Sequence, residues 1–267
     1  MTAHRSPSMD LGIRGKVALV TGASTGIGEG VALALAAEGA TIAAAARRKE
    51  RLDEVAARAK AAGATDARGF TFDQSKPSSV EQLVRDVQAQ LGPIEILIVN
   101  GGGPKPGTFT ALTLADWDDA YNLLLKYALT LVDAVLPSMR ERGWGRIVAL
   151  TSSAVKQPMG NLAASTALRT GLVAAMKTLS EEVAAEGITV NCIATGRVVS
   201  ERFLVVWGDE GGMEGASKRA AAGVPIGRPA YPSEFAPLVA FLCGVPASYV
   251  TGQTIAIDGG LVKATFG

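Results

Sequence analysis

The chain is expected to fold as a doubly wound α/β domain, a parallel sheet with helices on both faces in three layers. Three observations predict it. Short apolar runs alternate with helix-length segments along most of the 267 residues, the order that gives a parallel sheet covered on both sides. The runs are apolar almost throughout, as in Ile94-Glu95-Ile96-Leu97-Ile98-Val99, and so read as buried strands. Glycine clusters follow the first and fourth of them, on the edge where such sheets bind ligands.

The first strand is Lys16-Val17-Ala18-Leu19-Val20, and it runs into Thr21-Gly22-Ala23-Ser24-Thr25-Gly26-Ile27-Gly28. A helix over 28–38 follows, with Gly39 as its stop signal. Gly22, Gly26 and Gly28 have a G-x3-G-x-G spacing. Glycine permits positive φ and lets backbone lie against a pyrophosphate, while free N–H groups at the helix start supply donors and partial positive charge. A strand before and a helix after make this a nucleotide-binding turn, with Ser24, Thr25 and Ile27 inside it.

The second strand, Thr41–Ala46, leads into Arg47-Arg48-Lys49. This strand end lies beside the adenosine ribose in dinucleotide folds, where a carboxylate would accept from the 2′-hydroxyl and repel a 2′-phosphate. No Asp or Glu stands there. Guanidinium groups grip phosphate in a bidentate way, so NADP(H) is favoured over NAD(H). The plainer reading of Arg47 and Arg48 is the solvated start of a helix over 50–62.

A strand over 68–72 ends at Asp73, placed to meet an adenine amino group or simply to make a turn. Pro77-Ser78-Ser79 opens a helix over 77–90. Ile94–Val99 ends in Asn100-Gly101-Gly102-Gly103, successive glycines that suit backbone passing close to a ligand. One long helix is expected over 113–140, then a strand over 145–151 opening into Ser152-Ser153. A second long helix over 161–186 and a strand over 188–194 follow. Residues 197–227 are glycine-rich and carry Phe203 and Trp207, a loop long enough to be an apolar lid over a substrate. Pro232–Cys243 is a helix, and 254–258 the last strand. With no internal repeat and no linker, residues 12–267 read as one domain behind a flexible leader, 1–11.

Composition narrows the function classes. A net charge of +1 argues against nucleic acid or an anionic membrane as the main partner. Cys192 and Cys243 have no metal-binding spacing and read as buried small hydrophobes in a reducing compartment. The single histidine, His4, lies in the polar leader, which leaves no histidine acid–base chemistry and no metal site. No signal-peptide core and no run of ~20 apolar residues is visible, so a cytoplasmic protein is expected.

Taken together, these motifs resemble the short-chain dehydrogenase/reductase family over roughly residues 12–260. The glycine turn from Thr21 to Gly28 matches its cofactor motif, and Asn100-Gly101-Gly102 its N-A-G turn. Gly145-Arg146-Ile147-Val148, Ile188-Thr189-Val190-Asn191-Cys192-Ile193 and Tyr249-Val250-Thr251-Gly252-Gln253 match further family segments, with Thr195-Gly196 replacing the usual Pro-Gly. The likeness is greatest to the β-ketoacyl carrier-protein reductase branch. It implies a Rossmann fold, a nicotinamide cofactor with further contacts at Thr151, Gly196 and Val198, a small-molecule carbonyl or alcohol substrate, and a homotetramer or homodimer.

The family's chemistry rests on an Asn-Ser-Tyr-Lys tetrad, and here the sequence departs from it. Alignment on the following helix puts Ser165 in the tyrosine position and Arg169 in the lysine position, and Leu124 falls where the asparagine belongs. The serine survives as Ser152 or Ser153, with Ser153 favoured. A serine hydroxyl is a poor proton donor near neutrality, so Ser165 cannot inherit the tyrosine's role; Arg169 can still bind ribose hydroxyls. Tyr127, one helical turn beyond Leu124, and Lys156, just past the serine pair, are replacement candidates, each with a plainer reading as packing or a solvated loop. Three functions stay open: an NADP(H)-dependent oxidoreductase with a non-standard proton donor, a catalytically silent NADP(H)-binding protein, or another reaction with the cofactor structural.

Overall fold

The computed structural model describes residues 9–208 and 211–265. His4 and most of the expected leader lie outside the described residues. Seven strands form one parallel sheet in the order β3-β2-β1-β4-β5-β6-β7: β1 Val17–Thr21, β2 Thr41–Ala46, β3 Ala67–Thr71, β4 Ile94–Val99, β5 Gly145–Leu150, β6 Ile188–Thr195 and β7 Thr254–Ile257. The doubly wound fold is as expected.

Alternation along the strands explains the three layers. Successive side chains point to opposite faces, so Ala18 and Val20 join one apolar cluster while Val17 and Leu19 join the other. Helices α1 Gly26–Ala37, α2 Lys49–Ala62 and α9 Pro232–Cys243 cover the first face through Val31, Leu35, Leu52 and Phe235. Helices α3 Pro77–Leu91, α5 Tyr127–Arg142 and α6 Ala163–Val183 cover the second through Val80, Leu131 and Leu172. All five residues of β1 are buried. At about 1.5–3 kcal/mol for each large apolar side chain removed from water, this central strand anchors the sheet. Gly39 ends α1 with φ +80°, the left-handed geometry expected of a stop signal.

Two elements differ from the sequence reading. The long helix expected over 113–140 is α4 Leu114–Tyr121, a π-helical turn Asn122–Lys126, then α5. A π turn carries one extra residue per turn and loosens the carbonyl ladder. The Leu123 carbonyl accepts from Gln74 Nε2 at 3.5 Å. Secondly, the loop expected over 197–227 contains two helices, α7 Glu201–Trp207 and α8 Gly212–Ala221. Ser200 starts α7 by accepting from the Phe203 N–H, and Phe203 then packs on Ala216 and Ala220 of α8. Among the described residues no helix is long and apolar enough to cross a membrane, and both cysteines are buried, their thiols pushed up to about 12 by loss of water.

Candidate active site

The strand order reverses between β1 and β4, which opens a crevice beyond their carboxyl ends. A cleft of about 750 Å³ occupies it, lined by both glycine turns, the ends of β2 and β5, the start of α6 and helix α7. Thr21 ties the two turns together. Its hydroxyl lies 3.0 and 2.9 Å from the Ile98 and Asn100 carbonyl oxygens, which share its one hydrogen, and accepts from the Asn100 N–H at 2.9 Å. Asn100 in turn donates from Nδ2 to the Gly22 carbonyl at 3.3 Å.

The first turn is tight and leaves its backbone bare to the cleft. Gly22 and Gly26 have φ of +60° and +62°. A Cβ on Gly28 would lie 2.2 Å from the Gly22 carbonyl oxygen, so the turn closes only around glycine. Thr25, the residue before α1, makes no side-chain cap, leaving the first N–H groups of the helix open to an anion. Gly22, Ser24, Thr25, Ile27 and Gly28 line the cleft; Gly26 lies under Ser200, whose Cβ would be 2.9 Å from a Cβ at that position.

Arg47 and Arg48 also line the cleft. The absence of a carboxylate beside them in sequence does not hold in space. Glu201 of α7 forms a bidentate pair with Arg48, Nη2–Oε2 2.8 Å and Nη1–Oε1 3.2 Å, across 153 residues of chain. Arg48 also reaches Ser24 and Thr25 at 3.4 and 3.5 Å. The Arg48 guanidinium holds the Glu201 carboxyl below its ordinary range. A 2′-phosphate, were Arg48 to bind one, would have to displace Glu201. Both side chains are about half exposed, where such pairs contribute roughly 0.2–1 kcal/mol. Glu201→Gln is thus expected to tighten NADPH binding about twofold to fivefold; a fluorescence titration that shows weaker binding would remove Glu201 as a competitor.

Asp73 lines the cleft while serving its turn: its carboxylate accepts from the Ser75 hydroxyl at 2.7 Å and the Ser75 N–H at 3.0 Å, and these bonds lower its pKa. Gln74, not anticipated from sequence, sits beside it and accepts from the Gly102 N–H at 3.4 Å.

Beyond the end of β5 the cleft is lined by Ser152 and, from α6, by Ser165 and Arg169. Arg169 donates from Nε to the Ser165 hydroxyl at 3.3 Å, from Nη1 to the Leu150 carbonyl at 3.0 Å and from Nη2 to the Gly102 carbonyl at 3.2 Å. One guanidinium thus joins α6, the end of β5 and the second glycine turn. Burial and then the nearby charge of Arg202 bring its pKa down to about 10.

The short chain dehydrogenase family model matches residues 16–206. The chain belongs to the short-chain dehydrogenase family. It is 37% identical over 255 residues to a putative ketoacyl reductase of Streptomyces coelicolor, covering 92% of this chain and 97% of that one. Over 253 residues it is 32% identical to the 3-oxoacyl-(acyl-carrier-protein) reductase of Escherichia coli, covering 94% and 99%. Among solved structures it is similar to the L-sorbose reductase of Gluconobacter frateurii in complex with NADPH and L-sorbose, with TM-score 0.90, 33% identity and coverage of 96% and 100%.

Within this short-chain dehydrogenase framework several sequence assignments change. Ser152 lines the cleft, whereas Ser153 is 2% exposed and begins a short 3-10 turn outside the lining, so the serine that faces the cleft is Ser152. Ser152 has extended backbone, in which neighbouring side chains point to opposite sides, and one step along the chain decides the matter. Tyr127 is 3% exposed, stacks on Phe72 with ring centroids 6.1 Å apart, and donates to the Asn100 carbonyl at 3.3 Å. Burial raises its pKa far above the phenol range. It supports the glycine turn from behind and does not reach the cleft. Tyr127→Phe is expected to cost about 1 kcal/mol in a urea titration and leave turnover within twofold; a tenfold fall in kcat would restore it as a donor.

Phe203 is 4% exposed and Trp207 packs against it, with Arg197 4.5 Å over the indole ring. Both belong to a small core between α7 and α8, and from α7 it is Glu201, Arg202 and Val206 that line the cleft. Lys156 is half-buried beyond the serines and outside the cleft lining. Thr151 lines the cleft and ties β5 to β6 by donating to the Ile193 carbonyl at 2.8 Å. Gly196 packs on Asp258 and Val198 pairs with Ala230, and both lie behind the lining. Leu124 is buried in the π turn, whose Leu123 lines the cleft in its stead. Among the described residues no cluster of His, Cys, Asp or Glu suits a metal ion.

Proposed function

We propose that the protein is an NADP(H)-dependent oxidoreductase of a carbonyl or alcohol substrate whose proton does not come from a tyrosine. The observation that carries this reading is the single cleft shared by an open dinucleotide cradle and the Ser152, Ser165 and Arg169 group. The first-turn N–H groups of α1 would hold the pyrophosphate, Arg47 and Arg48 the 2′-phosphate, and Arg169 the nicotinamide ribose. The nicotinamide supplies or accepts a hydride at the substrate carbon. Because Ser165 accepts its hydrogen bond from Arg169, its own hydrogen is left to point at the substrate oxygen, alongside that of Ser152. The Arg169 cation then stabilises the negative charge that develops on that oxygen. Neither serine has a pKa suited to giving up a proton near neutrality, so solvent water protonates the alkoxide.

NADPH oxidation against a panel of ketones, 2-oxo acids and β-ketoacyl esters tests this. Turnover that depends on Ser152 and Arg169 is expected. Tight NADPH binding without turnover on the whole panel would favour a second reading, a catalytically silent NADP(H)-binding protein, which the replacements at Leu124, Ser165 and Arg169 motivate. We further expect a homodimer or homotetramer built through the α4–α6 helices, where Tyr121 and Leu129 are exposed.

A further inference from the structure

The charges along the cleft are not evenly compensated. At the ribose end Arg48 is paired with Glu201. At the far end Arg169 and Arg202 both line the cleft, and among the described residues neither is ion-paired to a carboxylate. Arg202 lies flat on Gly103, where an added Cβ would come within 2.7–2.8 Å of three guanidinium atoms, and donates to the Pro104 carbonyl at 3.0 Å. Arg169 reaches the same stretch of backbone through the Gly102 carbonyl. Of the five N–H groups of a guanidinium, Arg169 uses three and Arg202 one on these acceptors. Among the described residues the rest have no protein acceptor. Their charges interact, since Arg202 helps to lower the pKa of Arg169.

Two neighbouring cations without a counter-charge are unfavourable unless an anion joins them. The nucleotide's phosphates belong to the glycine turn and to Arg48, at the other end. Ser165, the hydroxyl aimed at the reacting oxygen, is bonded to Arg169, so the anion must lie close to the reacting carbonyl. Pro104, Leu123, Leu162 and Val206 line the cleft and leave an apolar wall for the remainder of such a molecule.

We propose that the substrate carries a carboxylate next to its reactive carbonyl or hydroxyl, a 2-oxo or 2-hydroxy acid with an apolar body, and that Arg169 and the lid residue Arg202 clamp that carboxylate. This rests on the oxidoreductase reading above and narrows its substrate class. The clamp also gives α7 a reason to close: its arginine reaches the substrate only when the lid lies over the second glycine turn.

The test titrates benzoylformate and its methyl ester, which differ in the charge under study, into the protein with and without NADPH. Calorimetry is the readout, for the native chain, Arg202→Gln and Arg202→Lys. The acid is expected to bind about tenfold or more tightly than the ester, as for a charge-assisted pair. That preference should fall to within about twofold in Arg202→Gln and return in part in Arg202→Lys, with NADPH affinity unchanged throughout. Acid and ester binding alike, an acid preference that survives Arg202→Gln, or neither compound binding at 10 mM (roughly the weakest range worth a physiological site) would overturn the clamp. Failure to bind NADPH would instead sink the oxidoreductase reading, while the acid-to-ester ratio of the cofactor-free protein still decides the clamp.

Discussion

Replacing Arg48 with alanine is expected to weaken NADPH binding about tenfold to fiftyfold and to leave NADH binding within about twofold. A hydrogen-bonded pair with a charged phosphate contributes about 1.5–3 kcal/mol. The ion pair to Glu201 that must first break subtracts roughly 0.2–1 kcal/mol, because both partners are solvated. The same competition makes a second result obligatory. Glu201→Gln, which tightens NADPH in the native background, should do nothing once Arg48 is alanine, since the two substitutions act on one interaction. Fluorescence titrations of both nucleotides against the four proteins close the cycle. If NADPH and NADH weaken together, Arg48 serves the loop through Ser24 and Thr25, and the phosphate assignment fails.

Arg48 also shows where sequence reasoning stops. Its position at the end of β2 was legible, because strand, basic turn and helix follow one another locally. So were the tight glycine turn, the alternation of elements and the buried β1 and β4, all of which depend on neighbours in sequence. Glu201 beside Arg48 was not legible: the contact spans 153 residues and depends on how α7 docks. Ser200 does signal a helix start, but a helix start does not say what its first turn touches. Ser152 against Ser153 failed for a different reason. A count along the chain has a tolerance of one residue, and at a strand end one residue is a reversal of direction. Phe203 and Trp207 misled through composition, since apolar residues in a segment beside a cleft can face the cleft or each other. Here they face each other, because α7 and α8 are helices with a face to bury.

Arg169→Met should produce the largest loss in catalysis, about 100-fold to 1000-fold in kcat, the usual cost of removing a group that stabilises a developing oxyanion. Loss of one arm of the carboxylate clamp should also weaken substrate binding, by about tenfold, less than the loss in turnover because Arg202 and the Ser152 and Ser165 hydroxyls stay. The Leu150 and Gly102 carbonyls lose a donor, which should lower stability by about 1–3 kcal/mol. Arg169→Lys separates the two effects: it keeps a cation but not the planar fork, and should recover more activity than structure. The pH dependence then identifies the charge itself. Only the protonated guanidinium stabilises the oxyanion, so native activity should fall as pH rises through about 10, the value to which burial and Arg202 bring it. Stability should move the other way. With the folded pKa near 10 and the unfolded one at its ordinary 12.5, the unfolded chain binds more protons between those values. The contribution of Arg169 to folding therefore becomes more favourable with pH across that window. The difference in unfolding free energy between the native protein and Arg169→Met isolates that contribution from lysines and tyrosines titrating in the same range. Activity lost and stability gained over one interval would mark Arg169 as a cation the fold holds at a cost for the chemistry. A flat difference would show that the guanidinium is solvated in the folded protein and only ties the glycine turn to β5.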